Sequence, residues 1–508
     1  MTPRLSKSRI QSGRQCHKRL WLELHDRDAA QWGATAQARL DEGTRFGELA
    51  QRLLGGGLLI AADHLHAREA LAETHAALLK PRDEVPRLLE PAFEHEDVRV
   101  RVDGFERGAH GDTLIEVKST ASVKDEHIWD CAIQTWVARG SGRVVHKIVL
   151  AHINREFVYR TLGDYAGLLV QVDVTAAVEA LQSRIPGIVA ELKAVAAGSM
   201  PTLQTGAHCT TPYGCPFITH CRSGEPAQPD YPVELLPRAG ALVEQLRGAG
   251  YRDLREVPEA RLLNSVHRLI AAATRDNRPF VSSTLEDILA AIPYPRFFLD
   301  FETASFVIPR WLGTRPFQAL PFQFSCHRES ASGAITHAGF LDVSGESPLA
   351  GFIEHLLDAV AGDGPILVWS KGFEASRLRE LGAMFPGKQA ALSRIVDRMV
   401  DLLPIFRSNY YHRDMRGSWS IKAVLPTIAP ELDYSDLDVS GGMAAQAAYL
   451  EAIGPHTSTD RRDEIHAALL AYCERDTRAM LHLMAFDVAQ VSRGSADASL
   501  PRENEIAS

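Results

Sequence analysis

The 508-residue sequence has no run of roughly 18 apolar residues, which a membrane-spanning helix needs, and its basic N-terminus lacks the apolar segment of a secretory signal. Both absences point to a cytoplasmic protein. Cysteine is scarce: seven in a chain this long do not make a disulfide framework, so their spacing is read for metal. A surplus of positive charge is missing too. With a net charge of -9, the chain is not built to coat nucleic acid through bulk electrostatics. An acidic total still admits a nuclease, whose site is a group of carboxylates made tolerable by divalent cations. One local basic track exists: Arg4, Lys7, Arg9, Arg14, Lys18 and Arg19 all precede the first acidic residue, Glu23. Internal repeats are not visible, and without a G-x-x-x-x-G-K-[ST] loop any duplex unwinding would fall to a partner.

Hydrophobic residues (45%) are plentiful enough for packed cores, and charged ones (23%) too few for a disordered chain. The length predicts about two to four units. Residues 1–225 read as a mixed unit: helices to about Lys80, alternating strands from Val98 to Lys118, helices to Gly198, then a cysteine-rich loop. The segment Ser223–Pro232, with Pro226 and Pro229, reads as a linker because proline breaks helix and ladder bonding. Residues 226–290 carry leucines at near-helical spacing around a Gly-Ala-Gly break, which suits a structural spacer better than a helix-hairpin-helix element. Residues 291–491 alternate strand and helix patterns, an α/β domain, and 492–508 form a polar tail expected to be disordered.

The stretch VRVRVDGFERGAHGDTLIEVKST predicts a β-hairpin, with Leu114, Glu116 and Lys118 on one face of its second strand and Ile115 and Val117 on the other. Asp103 on the first strand can join them. Two carboxylates that hold Mg2+ or Mn2+ and a lysine that orients or deprotonates water are the parts of a metal-dependent nuclease. Glu48, in GTRFGELAQRLL, is a candidate further ligand. The same D…E-x-K pattern also fits a solvated hairpin ion pair.

Cys209, Cys215 and Cys221 lie in CTTPYGCPFITHC, and Cys16 in RQCHKRLW. Three clustered thiols and a distant one can supply four ligands to a metal centre, which would staple the unit by closing a long loop. A four-iron cluster, structural zinc and unligated buried thiols are the three readings. Cys131, Cys326 and Cys473 fit core positions.

In FFLDFET, Asp300 and Glu302 are two apart on a strand and face one side; in AYCERDTRAML, Tyr472 and Asp476 are i and i+4 on a helix. Between them, ILVWSKGFEASRLREL runs from strand to helix and carries Glu374. Asp401 and Asp436 are acidic alternatives for supporting roles. Two ions about 3.5–4 Å apart on such a set would bridge a scissile phosphate, with Tyr472 positioning water.

These motifs carry a resemblance that covers almost the whole chain. The D…E-x-K strand bracketed by one cysteine before and three after it resembles the iron–sulfur RecB-like PD-(D/E)XK nucleases, including the CRISPR-associated ones; Gln134 in DCAIQTWVARG matches their Q-x-x-x-Y segment, except that Ala138 replaces the tyrosine and Trp136 is the nearby aromatic. The D-x-E and Y-x-x-x-D pair resembles DnaQ-like DEDD exonucleases, with Glu374 in place of an aspartate. Together with LSKSRIQSGRQCHKRLWLE and PYPRFFLDFET they resemble a bacterial family that fuses the two halves. The resemblance implies an α/β chain with a restriction-endonuclease-like fold followed by a ribonuclease H-like fold, and hydrolysis of DNA phosphodiesters, trimming ends 3′ to 5′. RNA is the alternative substrate, a noncatalytic nucleic-acid-binding scaffold the alternative class, and a helicase or a repair or defence complex the implied partner.

Overall fold

A computed structural model describes residues 4–32, 35–63, 65–432, 434, 437–439 and 441–485, with backbone alone at 35–41 and 431. The expected tail and Asp436 lie outside the described residues. The chain divides into two compact mixed α/β units. Met1–Pro226 forms the first together with Phe306–Phe317; Ala227–Ser305 and Gln318–Ser508 form the second. The stretch expected as a separate connector therefore clusters with the second unit from Ala227 onward. Among the described residues, no helix is long and apolar enough to cross a membrane.

In the first unit the strands are β1 (Leu5–Ser6), β2 (Leu58–Leu59), β3 (Arg87–Leu89), β4 (Ala92–His95), β5 (Val98–Arg101), β6 (Gly104–Glu106), β7 (Asp112–Lys118), β8 (Val145–Ile153) and β9 (Leu169–Asp173). The main sheet runs β2-β3-β6-β7-β8-β9 and a small one runs β1-β5-β4. Its helices include α1 (Lys7–Gln15), α2 (Thr35–Leu53), α3 (Asp125–Gly140) and α4 (Ile185–Ala197). Strand β7 pairs antiparallel with β6 and parallel with β8, and α3 makes the crossover that a parallel pair requires. With Cys131, Ala132, Ile133, Gln134, Val137 and Ala138 all buried, α3 lacks the one-sided stripe of a surface helix because it is covered nearly all round.

The expected hairpin is only half of what forms. Gly104 pairs with Ile115 across β6 and β7, but Val98–Arg101 leaves that sheet and pairs with Ala92–His95. The chain switches sheets at Val102–Asp103, which puts Asp103 at a break between strands.

The segment Phe306–Phe317 belongs to the first unit through a small apolar core. Val307, Ile308 and Phe317 pack against Phe46, Leu49, Ile153 and Leu168, while Tyr159 N donates to Thr314 O (3.0 Å) and Gly313 N to Tyr159 O (2.7 Å). Composition marked no boundary there.

The second unit carries β10 (Arg296–Ala304), β11 (Leu320–Glu329), β12 (Ile335–Leu341), β13 (Ile366–Val368) and β14 (Met399–Asp401) in the order β12-β11-β10-β13-β14. The first three are antiparallel neighbours and the last two run parallel to β10. Central β10 is buried along nearly its whole length, as a strand covered on both faces is, although it carries Asp300 and Glu302 among its apolar residues. A register shift between Glu302 and Thr303 marks a bulge beside the acidic pair. Helices α5 (Lys371–Met384) and α6 (Thr459–Met484) flank the acidic pair. The latter starts at Ser458, whose hydroxyl accepts from Arg461 N, and buries Ile465, Leu469, Tyr472, Cys473, Asp476 and Met480 at helical spacing.

Candidate functional site

Each unit gathers buried carboxylates at its central sheet. In the first, Glu116 on β7 is 1% exposed and held by three donors. Its Oε1 accepts from Lys7 Nζ (2.6 Å) and lies 2.7 Å from Lys118 Nζ, while its Oε2 accepts from Gln134 Nε2 (2.7 Å). Gln134 on α3 also donates to Arg101 O (2.9 Å). Asp103 accepts from Val117 N (2.5 Å) and borders an open cavity with Lys118 and Glu90. Asp103, Glu116, Lys118 and Gln134, named from sequence, thus come together.

The electrostatics differ within that group. Burial, reinforced by the Glu116 charge, pushes the Asp103 carboxyl up to about 8. Burial opposes ionisation of Glu116 as well, but Lys118 and Lys7 outweigh it and hold Glu116 below the carboxylate range. Burial opposes the charge on Lys118, yet Glu116 and Asp130, 2.6 Å away, hold it well above the usual lysine range. A lysine so clamped can orient and stabilise charge; it is a poor base for water.

Glu48 is exposed and not on the cavity wall, because α2 faces the cavity with Phe46 and Ala50, each two residues or about 200° of helix away from it. Glu90 is the acid that borders the cavity instead, held by Arg101 Nε (3.2 Å) and Gln51 Nε2 (3.4 Å). Ala138 is fully buried in the core, where a tyrosine would overpack, and Trp136 sets its ring edge-on to His95 at 4.7 Å. Glu90 sits in no motif, and Lys7 and Asp130, though they fall within LSKSRIQSGRQCHKRLWLE and DCAIQTWVARG, are not marked there as partners of Glu116.

Cys16, Cys209, Cys215 and Cys221 line one cavity together with Lys18 and Arg19. Among the described residues, no three of these thiols lie within 4.8 Å of one another. A tetrahedral zinc at about 2.3 Å from each sulfur would need sulfurs about 3.8 Å apart. Burial raises the Cys215 and Cys221 thiols, while Arg19 and Lys18 draw them the other way. Cys131, Cys326 and Cys473 are buried core residues.

In the second unit, carboxylate oxygens of Asp300, Glu302 and Asp476 all lie within 4.8 Å of one another, a spacing that could hold a metal ion. Glu374, in the first turn of α5, is 4% exposed, and its Oε2 has no hydrogen-bond partner. Burial drives all four acids upward, with mutual repulsion added at Asp300 and Glu302: Asp300 well above the carboxylate range, Glu302 to about 8, Glu374 to about 7 and Asp476 to about 6. Tyr472 accepts from Lys422 Nζ (2.6 Å), which also lies 4.3 Å from the Tyr472 ring centre. An ammonium can only donate, so the tyrosine proton is left to face Glu302 and Asp476, whose carboxyls the hydroxyl draws downward against burial. Tyr434 donates to Asp476 Oδ1. Lys422 and Tyr434 were not legible in the sequence. Asp401 serves the backbone, accepting from Leu403 N (3.1 Å) and Lys371 N (3.2 Å), with its charge felt by Glu374.

Residues 297–420 match a family described as a domain of unknown function, DUF2779. The match includes Asp300, Glu302 and Glu374 and ends before Tyr472. The chain is 32% identical over 139 residues to the uncharacterised protein UU173 of Ureaplasma parvum, covering 24% of this chain and 20% of that protein. It is 24% identical over 213 residues to the uncharacterised protein MG366 of Mycoplasma genitalium, covering 38% of this chain and 32% of that one. The chain thus spans a third or less of the length of these relatives.

Proposed function

We propose that the chain is a metal-dependent nuclease that hydrolyses phosphodiester bonds, DNA before RNA, with exonuclease chemistry in the second unit. The observation that carries the reading is the acidic nest of Asp300, Glu302 and Asp476 with Glu374 beside it. Four acids buried together, one with an unpartnered oxygen, are destabilising until cations compensate them. Divalent ions bound there would supply Lewis-acid charge to a scissile phosphate. Around them, Tyr472 would help position the attacking water, and Lys422 would hold Tyr472. The five-stranded mixed sheet with β10 at its centre agrees with the ribonuclease H-like fold the sequence resemblance implies, and the β7-α3-β8 sheet with the restriction-endonuclease-like one.

In the first unit, Asp103 and Glu116 would hold Mg2+ or Mn2+, with Lys118 as an orienting cation. Cys16, Cys209, Cys215 and Cys221 would hold a four-iron cluster; the cavity the four line together and the cations Lys18 and Arg19 beside the thiols support it. A noncatalytic, nucleic-acid-binding role for this unit is the second reading, favoured by the three donors, two of them ammonium groups, that already hold Glu116.

Cleavage of end-labelled single-stranded DNA and RNA by anaerobically purified protein, with Mn2+ or EDTA, tests the proposal. Metal-dependent products that fall by at least about 100-fold in Asp300→Ala are expected. Products unchanged in Asp300→Ala and lost in Glu116→Ala would move the chemistry to the first unit, and no products from any form would leave the scaffold reading.

A further inference from the structure

Glu116 receives one of its two ammonium partners from 109 positions earlier in the chain. Lys7 opens α1, and the helix places Lys7, Gln11 and Gln15 at i, i+4 and i+8, along one face. Each grips a different part of the unit. Lys7 Nζ reaches Glu116 Oε1 at 2.6 Å. Gln11 Nε2 donates to Glu126 O (2.8 Å) and Asp130 Oδ1 (2.9 Å), while the other oxygen of Asp130 holds Lys118. Gln15 Nε2 donates to His208 O (2.7 Å) and Tyr213 O (2.6 Å), in the loop that carries Cys209 and Cys215. Cys16, the residue after the helix, lines the cysteine cavity.

The helix is also fixed against sliding. Before it, Leu5 and Ser6 pair with Val98 and Arg99, and Ser6 caps the helix through Arg9 N. In its middle, Gly13 presses so closely on α4 that a Cβ there would lie 2.7 Å from Leu192 Cδ2. A strut of about 13 Å, pinned at both ends, therefore spans from the cysteine-rich loop to the carboxylates.

We propose that Lys7 is a positioning residue of the first carboxylate site, set in place by α1 from the cysteine-rich loop; this rests on reading that site as metal-binding. Lys118 is tied to Asp130 as well as Glu116, whereas the bond from Lys7 is to Glu116. Lys7 therefore aims the Glu116 carboxylate and opposes a divalent ion beside it. Losing it removes a repelling charge, so the ion binds more tightly while the carboxylate loses its aim. A residue that merely supported the fold would give the reverse, weaker ion binding.

The test uses full-length protein with Asp300→Ala, so that only the first unit reports, and Mn2+ titration followed by electron paramagnetic resonance. Lys7→Met is expected to bind Mn2+ at least about tenfold more tightly than its parent, Lys7→Arg to stay within about twofold, and Gln15→Ala to fall between. An affinity unchanged or weakened in Lys7→Met, in protein whose far-ultraviolet dichroism matches the parent, overturns the proposal. A second measurement needs neither metal nor substrate: in urea unfolding, Lys7→Gln and Glu116→Gln should be coupled by about fivefold or more in the unfolding constant. Single effects that simply multiply in the double variant also overturn it. A parent that binds no Mn2+ while the coupling is present would instead remove the nuclease reading of this unit and leave the placement of Lys7 standing.

Discussion

Glu116 in the first unit and Glu302 in the second are both buried glutamates on strands of mixed sheets, yet their surroundings are opposite. Around Glu116 stand Lys7, Lys118 and Gln134, and the acid is held ionised. Around Glu302 stand Asp300 and Asp476, and the acids are held toward their protonated forms. The first site carries its own counter-charge in the chain; the second sets Lys422 alone against four acids and leaves most of that charge to be supplied. A D-x-E and an E-x-K therefore have different needs, although both are acidic motifs on a strand.

The contrast makes stability move in opposite directions for similar substitutions. Glu116→Ala strands two ammonium groups at a buried site and is expected to cost about 3–5 kcal/mol in urea unfolding. Asp300→Asn removes a repelling carboxyl from its neighbours, so metal-free protein should be unchanged or more stable. If both destabilise to the same degree, the two sites are not electrostatically distinct.

A smaller effect sharpens the same contrast through pH. Below about pH 4 these acids are protonated in both folded and unfolded chains. Between there and about pH 8, folded protein without metal retains protons on Glu302, Glu374 and Asp476 that the unfolded chain releases. The sign is thus a loss of stability as pH rises, by about 1.4 kcal/mol per pH unit for each excess proton. Asp103 adds one such group in the first unit, whereas Glu116 acts in the other direction and loses its contribution as pH falls through the acid range. Thermal melts in EDTA from pH 5 to 8 should therefore decline, less steeply in Asp300→Asn, and Mn2+ should restore more at pH 8 than at pH 5. A flat profile in EDTA would contradict the charge frustration assigned to the second unit.

Short-range pattern made much of this legible. Residue alternation placed Asp300 with Glu302, and helical spacing placed Tyr472 with Asp476, because both periods are fixed by backbone geometry. The D…E-x-K stretch and its following helix put Asp103, Glu116, Lys118 and Gln134 within one neighbourhood, and the four cysteines named from spacing line one cavity. What failed to show was whatever tertiary packing decides. Glu48 has a helix-compatible sequence around it, but the rotation of α2 that turns it outward is set by the apolar contacts of Phe46 and Leu49. Lys7 looked like one member of a basic track, and only the docking of α1 sends it inward. Likewise, Val98–Arg101 has a strand pattern that suits either sheet, and the choice between them comes from pairing with Leu5–Ser6 and Ala92–His95. The segment Phe306–Phe317 follows the D-x-E strand directly, so nothing in composition separated it from the second unit.

On the proposed reading, the acidic nest of the second unit holds divalent cations more strongly than the first site does. Equilibrium titration of metal-free protein with Mn2+ at pH 7.5, comparing wild type, Glu116→Gln and Asp300→Asn, tests it most directly. A tight class of ions is expected that persists in Glu116→Gln and disappears in Asp300→Asn. A tight class that survives Asp300→Asn, or is lost only in Glu116→Gln, would contradict it.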